Sequence, residues 1–217
     1  MTTLDLPPPY SLVALPEGAD AFAAASALAP EEGAGTLVWV RRADIVDCAV
    51  VLEPAQRLAV ARQVACAGLN AAADALAVDC PPEKPLVFRW PDALFYDNGL
   101  VGGVRLGWPV DCPEDAVPEW LVLGLALRVW ADGVPGAAPP AALGDEGFPD
   151  FDTGGFVESY ARHLMLALDD WSARGPAAVL ARWRERWDGH GPADPADLAA
   201  LQAAPSWRDP VSGGIRA

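Results

Sequence analysis

Two adjacent glycines and a large set of arginines are the residues in this chain whose types could support ligand chemistry. Gly102 and Gly103 stand together in the stretch LVFRWPDALFYDNGLVGGVRL, residues 86–106. Paired glycines weaken a strand, so they are expected at a bulge or where a ligand or another backbone approaches closely. Arginine binds carboxylates and phosphates through a planar pair of hydrogen bonds. The pattern leaves two interpretations open, a tight contact within a sheet and a site for an anionic ligand.

The cysteines and histidines give weaker signals. The four cysteines are widely spaced without a CxxC pair, and only two histidines could join them, so we expect no metal site and no thioredoxin-like site. No local signature indicates a serine or cysteine nucleophile. His163 lies between apolar positions of a predicted helix, which favours a partly exposed structural histidine.

Charge and composition exclude several functions. The formal net charge of −15 argues against nucleic-acid binding, which needs a basic surface, and it repels ATP at long range. Lys84 is the only lysine, so fourteen of the fifteen basic residues are arginine. That bias suits a GC-rich genome, and we expect a bacterial source. Without a signal peptide or an apolar stretch of about 18 residues, we expect a cytoplasmic protein that does not enter membranes.

The first part of the chain is predicted to alternate strands with helices. Apolar, β-branched and alanine-rich patterns predict an edge strand at 10–15, a helix at 21–28 capped by Asp20, strands at 36–41 and 48–52, and a helix at 55–76. The helix at 55–76 has a face of small residues. Such a face lets a helix lie close to a sheet.

Residues 86–106 are predicted to form three strands. Leu86, Phe88 and Trp90 alternate and should share one face of the first strand, which Pro91 ends. The residues DNG at 97–99 tolerate positive φ and mark a hairpin. The paired glycines then fall on the returning strand.

The pattern after this stretch changes from sheet to helix. Residues 120–131 are apolar on both faces, which predicts a central strand, and 132–150 are predicted to be a loop. Apolar stripes predict a helix at 156–171 ending near Gly175, and a shorter one at 180–187. The arginines of the second helix are expected to be solvated and to pair locally with acidic neighbours. They are Arg182, Arg184 and Arg186, with Glu185 and Asp188 as partners.

These elements and motifs resemble the catalytic domain of biotin protein ligases and lipoate protein ligases over residues 10–187. RWPD at 89–92 is similar to the KWPND-like opening of the ligases' active-site hairpin, and the glycine pair with Val104 is similar to its close. The strand VLGLALRV at 122–129 is similar to a family strand with a GIGLN pattern, where Gly124 matches a glycine and Arg128 stands at the asparagine. The resemblance implies an α+β fold with a mixed, largely antiparallel sheet packed with helices, of the class II synthetase-like kind.

Departures from the family pattern concern its chemistry. Leu100 stands where the ligases carry a lysine, and Ala93 follows Asp92 in place of an aspartate. The family's loop of the GRGRRGR kind shrinks to GAG at 33–35 and the arginines at 41 and 42. Loss of one preorganised donor at a site of developing charge costs about 3 to 4 kcal/mol. We therefore expect ligation to be weak or absent.

The resemblance implies a ligase-like domain at 1–187 that binds a small carboxylic acid such as biotin or lipoate, with an irregular tail or small appendage at 188–217. ATP with its magnesium would be needed for ligation, and a biotinyl or lipoyl carrier domain or a second copy of the chain could be partners. No catalytic residue is assigned. The candidate ligand-binding residues are Arg41, Arg42, Arg89, Trp90, Asp92, Gly102, Gly103, Val104, Arg105, Gly124 and Arg128.

Two alternatives stay open. The fold could serve as a non-enzymatic regulatory or partner-docking module. It could also be an octanoyl or lipoyl transferase that uses a cysteine, for which Cys48 and Cys112 are the candidates near predicted sheet ends; the others are Cys66 and Cys80.

Overall fold

A computed structural model describes residues 4–78, 83–131, 140–190 and 205–216, which form a mixed sheet with helices on both faces. The strands are β1 (Ser11–Leu15), β2 (Thr36–Val40), β3 (Ile45–Leu52), β4 (Leu86–Arg89), β5 (Ala93–Tyr96), β6 (Gly99–Gly107) and β7 (Leu121–Arg128). The helices are α1 (Ala21–Glu32), α2 (Leu58–Ala61), α3 (Val64–Ala77), α4 (Thr153–Arg174) and α5 (Pro176–Glu185). No helix within these ranges is long and apolar enough to cross a bilayer.

The seven strands are ordered β1-β2-β3-β7-β6-β5-β4. β1 pairs with β2 in parallel at one edge, and the other pairings are antiparallel. This confirms the predicted α+β fold with a largely antiparallel sheet. β7 lies between β3 and β6, as its apolar residues on both faces predicted.

Alternation along the strands divides the sheet into two faces. One, which we call the helical face, packs α3, α4 and α5 over a continuous apolar core that includes Val104, Leu123 and Leu125. The other, which we call the second face, is covered by α1 on one side and by residues 205–216 on the other. Successive residues of β6 and β7 point to opposite faces.

The predicted first helix forms as α1, and Asp20 caps it by accepting a hydrogen bond from the Ala23 N–H at 2.9 Å. Alanines on its inner face allow close packing on the sheet. Phe22 projects onto β6 and β7 above two glycines, since a Cβ at Gly107 or at Gly124 would lie 2.8 Å from its ring.

The predicted single helix at 55–76 is instead two helices, α2 and α3, which is a correction. The first turn of α2 donates to a neighbouring loop, with Leu58 N–H bonded to the Ala116 carbonyl at 2.7 Å. Arg62, in the break between the helices, lies buried over the Trp108 ring at 5.3 Å. These contacts fix the chain direction before α3 begins. The small-residue face of α3 lies close to the sheet, as predicted, because a Cβ at Gly68 would approach Leu123 to 3.0 Å.

The two predicted C-terminal helices form as α4 and α5. Arg182 and Arg186 of this region both pair with Asp74 of α3, at 2.7 and 3.0 Å. This corrects the expectation that they pair with Glu185 and Asp188. The pairs join α5 to α3 rather than stabilising the surface of one helix.

Within the predicted tail, residues 205–216 form a hairpin that packs on the second face; we call it the 205–216 hairpin. Arg208 and Ile215 are bridged in antiparallel fashion, and the Asp209 N–H donates to the Gly214 carbonyl at 2.7 Å. The segment is therefore more regular than predicted. The domain division at residue 187 remains a prediction, and residues 132–139 of the predicted loop lie outside the described ranges.

Candidate functional site

The glycine pair lies on β6, next to the central strand β7. Gly103 is paired with Ala126 of β7, and Arg105 is paired with Gly124, so these positions share the second face. The side chain of Val104 points the other way, into the core of the helical face. The structure thus brings together several of the predicted site residues on one surface.

The two glycines are required by close contacts with protein. Gly102 has φ +152°, and a Cβ there would lie 2.0 Å from the Ala126 carbonyl oxygen. A Cβ at Gly103 would lie 2.1 Å from the Asp92 carbonyl oxygen and 2.4 Å from Trp207 Cδ1. The structure therefore agrees with the first interpretation of the glycine pair, a close contact with other parts of the chain.

Trp207 of the 205–216 hairpin occupies the space above Gly103. Its side chain is buried among Ala93 and Phe95, and its indole N–H donates to the Val104 carbonyl at 2.8 Å. Leu100, at the position of the family lysine, packs into the same apolar group. Leu100 therefore makes apolar contacts at the position where the resembling ligases carry a lysine, and the indole lies against the glycine pair.

Asp92 anchors the beginning of the hairpin. Its carboxylate is fully buried and accepts from the Ser206 N–H at 3.0 Å and from the Ser206 hydroxyl. Burial raises the pKa of Asp92 to about 6, although the hydrogen bonds from Ser206 oppose the rise. The predicted ligand-binding aspartate thus binds the chain's own serine.

Arg128 anchors the other end of the hairpin. Its guanidinium is buried and donates to the carbonyls of Ile215 and Arg216, both at 2.7 Å. It also donates to Ala141 at 3.0 Å and Leu100 at 3.3 Å. Arg128, which stands at the asparagine of the resembling ligases, therefore donates its hydrogen bonds to backbone carbonyls of this chain.

A cavity of about 150 Å³ remains between α1 and the hairpin, over β3, β6 and β7. Two guanidiniums share one carboxylate on its wall, because Asp20 pairs with Arg105 at 2.5 Å and with Arg208 at 3.5 Å. Arg105 also lies over the Phe22 ring at 4.2 Å. This group of three charged residues carries one net positive charge in a chain of net charge −15.

The carboxyl groups beside the cavity differ in acidity. Burial works against ionisation of Asp20, but the Ala23 N–H and Arg105 hold its pKa below the usual value. Burial raises the pKa of Asp47, which also lines the cavity and accepts from the Ala21 N–H at 3.3 Å. Asp47 also interacts electrostatically with Arg105, so the two guanidiniums face two carboxylates beside the cavity.

The other predicted arginines lie at the rim of the cavity or away from it. Arg42 lines the cavity and is paired with Asp44 at 2.5 Å, whereas Arg41 is exposed. Arg89 is on the edge strand β4, where it pairs with Asp188 at 2.8 Å.

Trp90 also lies apart from the cavity. Its ring meets that of Trp183 edge-on at 5.7 Å, on the side of the helical core. Arg41, Arg89 and Trp90 are thus not brought together with Arg105.

Sequence reasoning missed the residues that complete this cavity. Asp20 was predicted only as a helix cap, and Trp207 and Arg208 belonged to a segment predicted to be irregular. A tryptophan within a polar, proline-containing tail was the available signal, because large aromatic side chains tend to be buried.

The cysteines do not support acyl transfer at this cavity. Cys48 and Cys66 are buried in the helical core, and burial raises the pKa of both thiols, that of Cys66 to about 12. Cys112 is partly exposed in a loop, and Cys80 lies outside the described ranges. Among the described residues, no cysteine lines the cavity and no three His, Cys, Asp or Glu side chains cluster as a metal site requires.

Comparison with known proteins places these features in a family. A biotin–acetyl-CoA-carboxylase ligase of Paracoccus denitrificans is 29% identical over 153 residues, which are 69% of this chain and 61% of the relative. The chain therefore matches about three fifths of that relative's length.

Solved structures give the same fold. A biotin protein ligase-like protein of unknown function from Silicibacter sp. TM1040 is 30% identical with a TM-score of 0.79, covering 86% of this chain and 82% of that protein. A biotin protein ligase from Aquifex aeolicus, solved with biotin and ATP, shares the fold at 14% identity with a TM-score of 0.63, covering 82% and 78%.

The family predicted from the RWPD and glycine-pair motifs is confirmed by a family model that matches residues 6–185. The chain belongs to the biotin/lipoate A/B protein ligase family.

Proposed function

We propose that this protein binds a small organic acid in the cavity between α1 and the 205–216 hairpin, and that it does not join the acid to ATP. The observation that carries the proposal is the pair of guanidiniums, Arg105 and Arg208, which share the single carboxylate of Asp20 on the cavity wall. A ligand carboxylate would accept hydrogen bonds from guanidinium N–H groups that Asp20 does not use, since each guanidinium has five N–H donors. A guanidinium held over an aromatic ring is well suited to such a pairing, because its orientation is fixed before the ligand arrives.

The chemistry of adenylation needs more positive charge than this face offers. Leu100 replaces the lysine of the resembling ligases. The sole lysine, Lys84, lies just before the edge strand β4 and pairs with Glu146. Losing one preorganised donor lowers a rate by about 100- to 1,000-fold. With the hairpin seated, Trp207 also fills the space above Gly103, so the face does not fit biotin and ATP together.

Titration calorimetry with short carboxylates tests the binding half of the proposal. We expect the wild-type protein to bind an acid such as butyrate, and Arg105→Gln to weaken the affinity about tenfold or more, as expected for removal of a charged hydrogen-bond donor. Arg162→Gln is a matched control, because Arg162 is an exposed arginine on α4 that pairs with Asp5. Equal affinities in the wild type and Arg105→Gln would refute the role of Arg105.

Pyrophosphate release tests the other half. The protein is incubated with ATP and with biotin, lipoate or octanoate, with and without a biotinyl or lipoyl carrier domain. We expect no acid-dependent release above the background of a boiled sample. Sustained release that depends on the acid would overturn the proposal that ligation is absent.

A further inference from the structure

The ligand class of the proposed site follows from the residue that closes it. We infer that Trp207 sets the size of the acid, so that the cavity takes short aliphatic carboxylic acids and excludes acids as large as biotin. The inference rests on the proposed function, because it concerns the same cavity. It assigns Trp207 as a specificity-determining residue.

Trp207 is held firmly in its position. Its side chain is only 3% exposed, its N–H is bonded to the Val104 carbonyl, and its ring lies against the bare backbone of Gly103. Any side chain at Gly103 would collide with the indole. A glycine is therefore needed at position 103 to make room for the indole. The indole in turn occupies the space that a ligand would need above this part of the sheet.

The rest of the hairpin fastens Trp207 from both sides. Ser206 satisfies the buried carboxylate of Asp92, and the buried guanidinium of Arg128 is bonded to the carbonyls of Ile215 and Arg216. Withdrawal of the hairpin would deprive these buried groups of their partners, which is costly for charged groups. The hairpin thus behaves as a permanent wall of the site.

The volume that remains is small. About 150 Å³ lies between α1 and the hairpin, whereas sites for drug-sized ligands measure about 300–1,000 Å³. We expect this space to take an acid of about three to six carbons, because the indole of Trp207 occupies the space above Gly103 that a bicyclic acid with a pentanoyl chain would need.

The lining of the cavity matches a short aliphatic acid. Arg105 and Arg208 lie on its wall and can meet a carboxylate, while Ile45, Ala126 and Ile215 supply apolar surface for an alkyl chain. A phosphorylated ligand would bring additional negative charge beside Asp20 and Asp47, which also line the cavity. The site therefore favours a carboxylate with a short hydrocarbon tail.

Calorimetric titration of the full-length protein with butyrate, valerate and biotin tests this inference. We expect the wild type to prefer butyrate or valerate to biotin by about tenfold or more. In Trp207→Ala the removed indole opens space above Gly103, and we expect biotin affinity to rise by about tenfold or more relative to wild type. Trp207→Phe retains a ring there and should keep the wild-type preference.

Val211→Ala is the matched control, because Val211 belongs to the same hairpin and is 95% exposed; it should leave the preference unchanged. Circular dichroism and thermal unfolding verify that each variant is folded, and Trp207→Leu replaces Trp207→Ala if the latter does not fold. Equal affinity of the wild type for biotin and butyrate would overturn the inference. So would a folded variant with a smaller residue at 207 that keeps the wild-type preference.

Arg105→Gln separates this inference from the proposed function. Short acids could bind in a way that depends on Arg105, while the preference for short acids over biotin does not change with residue 207. In that case the size limit is wrong and the binding function stands. If a smaller residue at 207 admits biotin without any dependence on Arg105, the size limit stands and the proposed anchor is wrong. If neither the wild type nor the variants bind any acid, both are wrong.

Discussion

The two faces of the sheet are built from different kinds of contact. The helical face is a continuous apolar core in which leucines of β7, such as Leu123 and Leu125, pack under α3 and α4. The second face holds glycines, arginines and a buried aspartate, and its covers are tied down by directed hydrogen bonds. The free energy of apolar burial depends mainly on the area removed from water and not on direction, whereas a hydrogen bond requires a particular partner in a particular orientation. The helical face therefore provides the main apolar core, and the covering of the second face depends on particular hydrogen-bond partners.

Strand β7 shows the difference within one element. Leu123 and Leu125 face the helices, while Gly124 and Arg128 face the hairpin and α1. A small residue at Gly124 is needed because a Cβ would come within 2.8 Å of the Phe22 ring and 3.1 Å of Arg105. One strand thus supplies the core to one side and the floor of the candidate site to the other.

Replacing Arg128 should have the largest effect on the difference in stability between the two faces. Two of its hydrogen bonds hold the hairpin, and each bond from a charged donor is worth about 1.5–3 kcal/mol, so Arg128→Met should destabilise the seated hairpin by about 3–6 kcal/mol. Hydrogen exchange followed by mass spectrometry should show lost protection in 205–216. Amides of β7 and α3 should keep theirs.

Leu123→Ala is the partner experiment on the opposite face of the same strand. Truncation of a buried leucine costs about 2–5 kcal/mol, and here the whole molecule should lose stability in one transition. If Arg128→Met lowers protection equally in the helical core, the two faces form one cooperative unit and the contrast between them is refuted.

The same contrast explains what could be predicted from the sequence. On the helical side, α4, β7 and the strand pattern at 86–106 were predicted from apolar spacing and turn residues, whereas α1 on the second face was predicted from its alanine content and its Asp20 cap. Positive φ at Asp97 and Asn98, 47° and 68°, agrees with the predicted hairpin. The break between α2 and α3 was missed, because it depends on hydrogen bonds to a loop that local periodicity does not report.

The candidate site was predicted only in part, for a related reason. Motif similarity singled out Asp92, Gly103 and Arg128, which the structure places in the β4–β5 turn, on β6 and on β7, but it could not indicate their partners. The bond from Trp207 to Val104 spans 103 residues of sequence, and no pattern in a short polar segment specifies such a contact. Which group packs on a given surface depends on tertiary contacts, which side-chain type alone does not determine.

The pH dependence of stability tests the anchor at Asp92. Its pKa is raised from 3.8 to about 6 in the folded protein, so the folded state binds more protons than the unfolded state between about pH 4 and 6. This contribution to stability is present below about pH 4 and is lost as the pH rises through about 6, a change of about 3 kcal/mol for two pKa units. Urea unfolding at several pH values should show stability falling across this window.

Asp92→Asn is the matched variant, since its amide oxygen can still accept from Ser206. Its stability should vary less than that of the wild type between about pH 4 and 6. Identical pH profiles for the two proteins would show that the buried carboxyl does not titrate in this window. Asp92 would then keep one protonation state across the window, and its burial would not produce the expected fall in stability with pH.

Asp20→Asn has the smallest expected effect and separates the two roles of that residue. Asparagine caps a helix about as well as aspartate, so α1 should keep its cap and the free energy of unfolding should change by less than about 1 kcal/mol. The variant removes the carboxylate that Arg105 and Arg208 share, leaving both guanidiniums to a ligand anion. Butyrate affinity measured by calorimetry should therefore rise, by about 1 kcal/mol or some fivefold. Weaker binding in this variant would mean that Asp20 holds Arg105 in place for the ligand rather than competing with it, because the arginine then needs its internal partner to face the cavity.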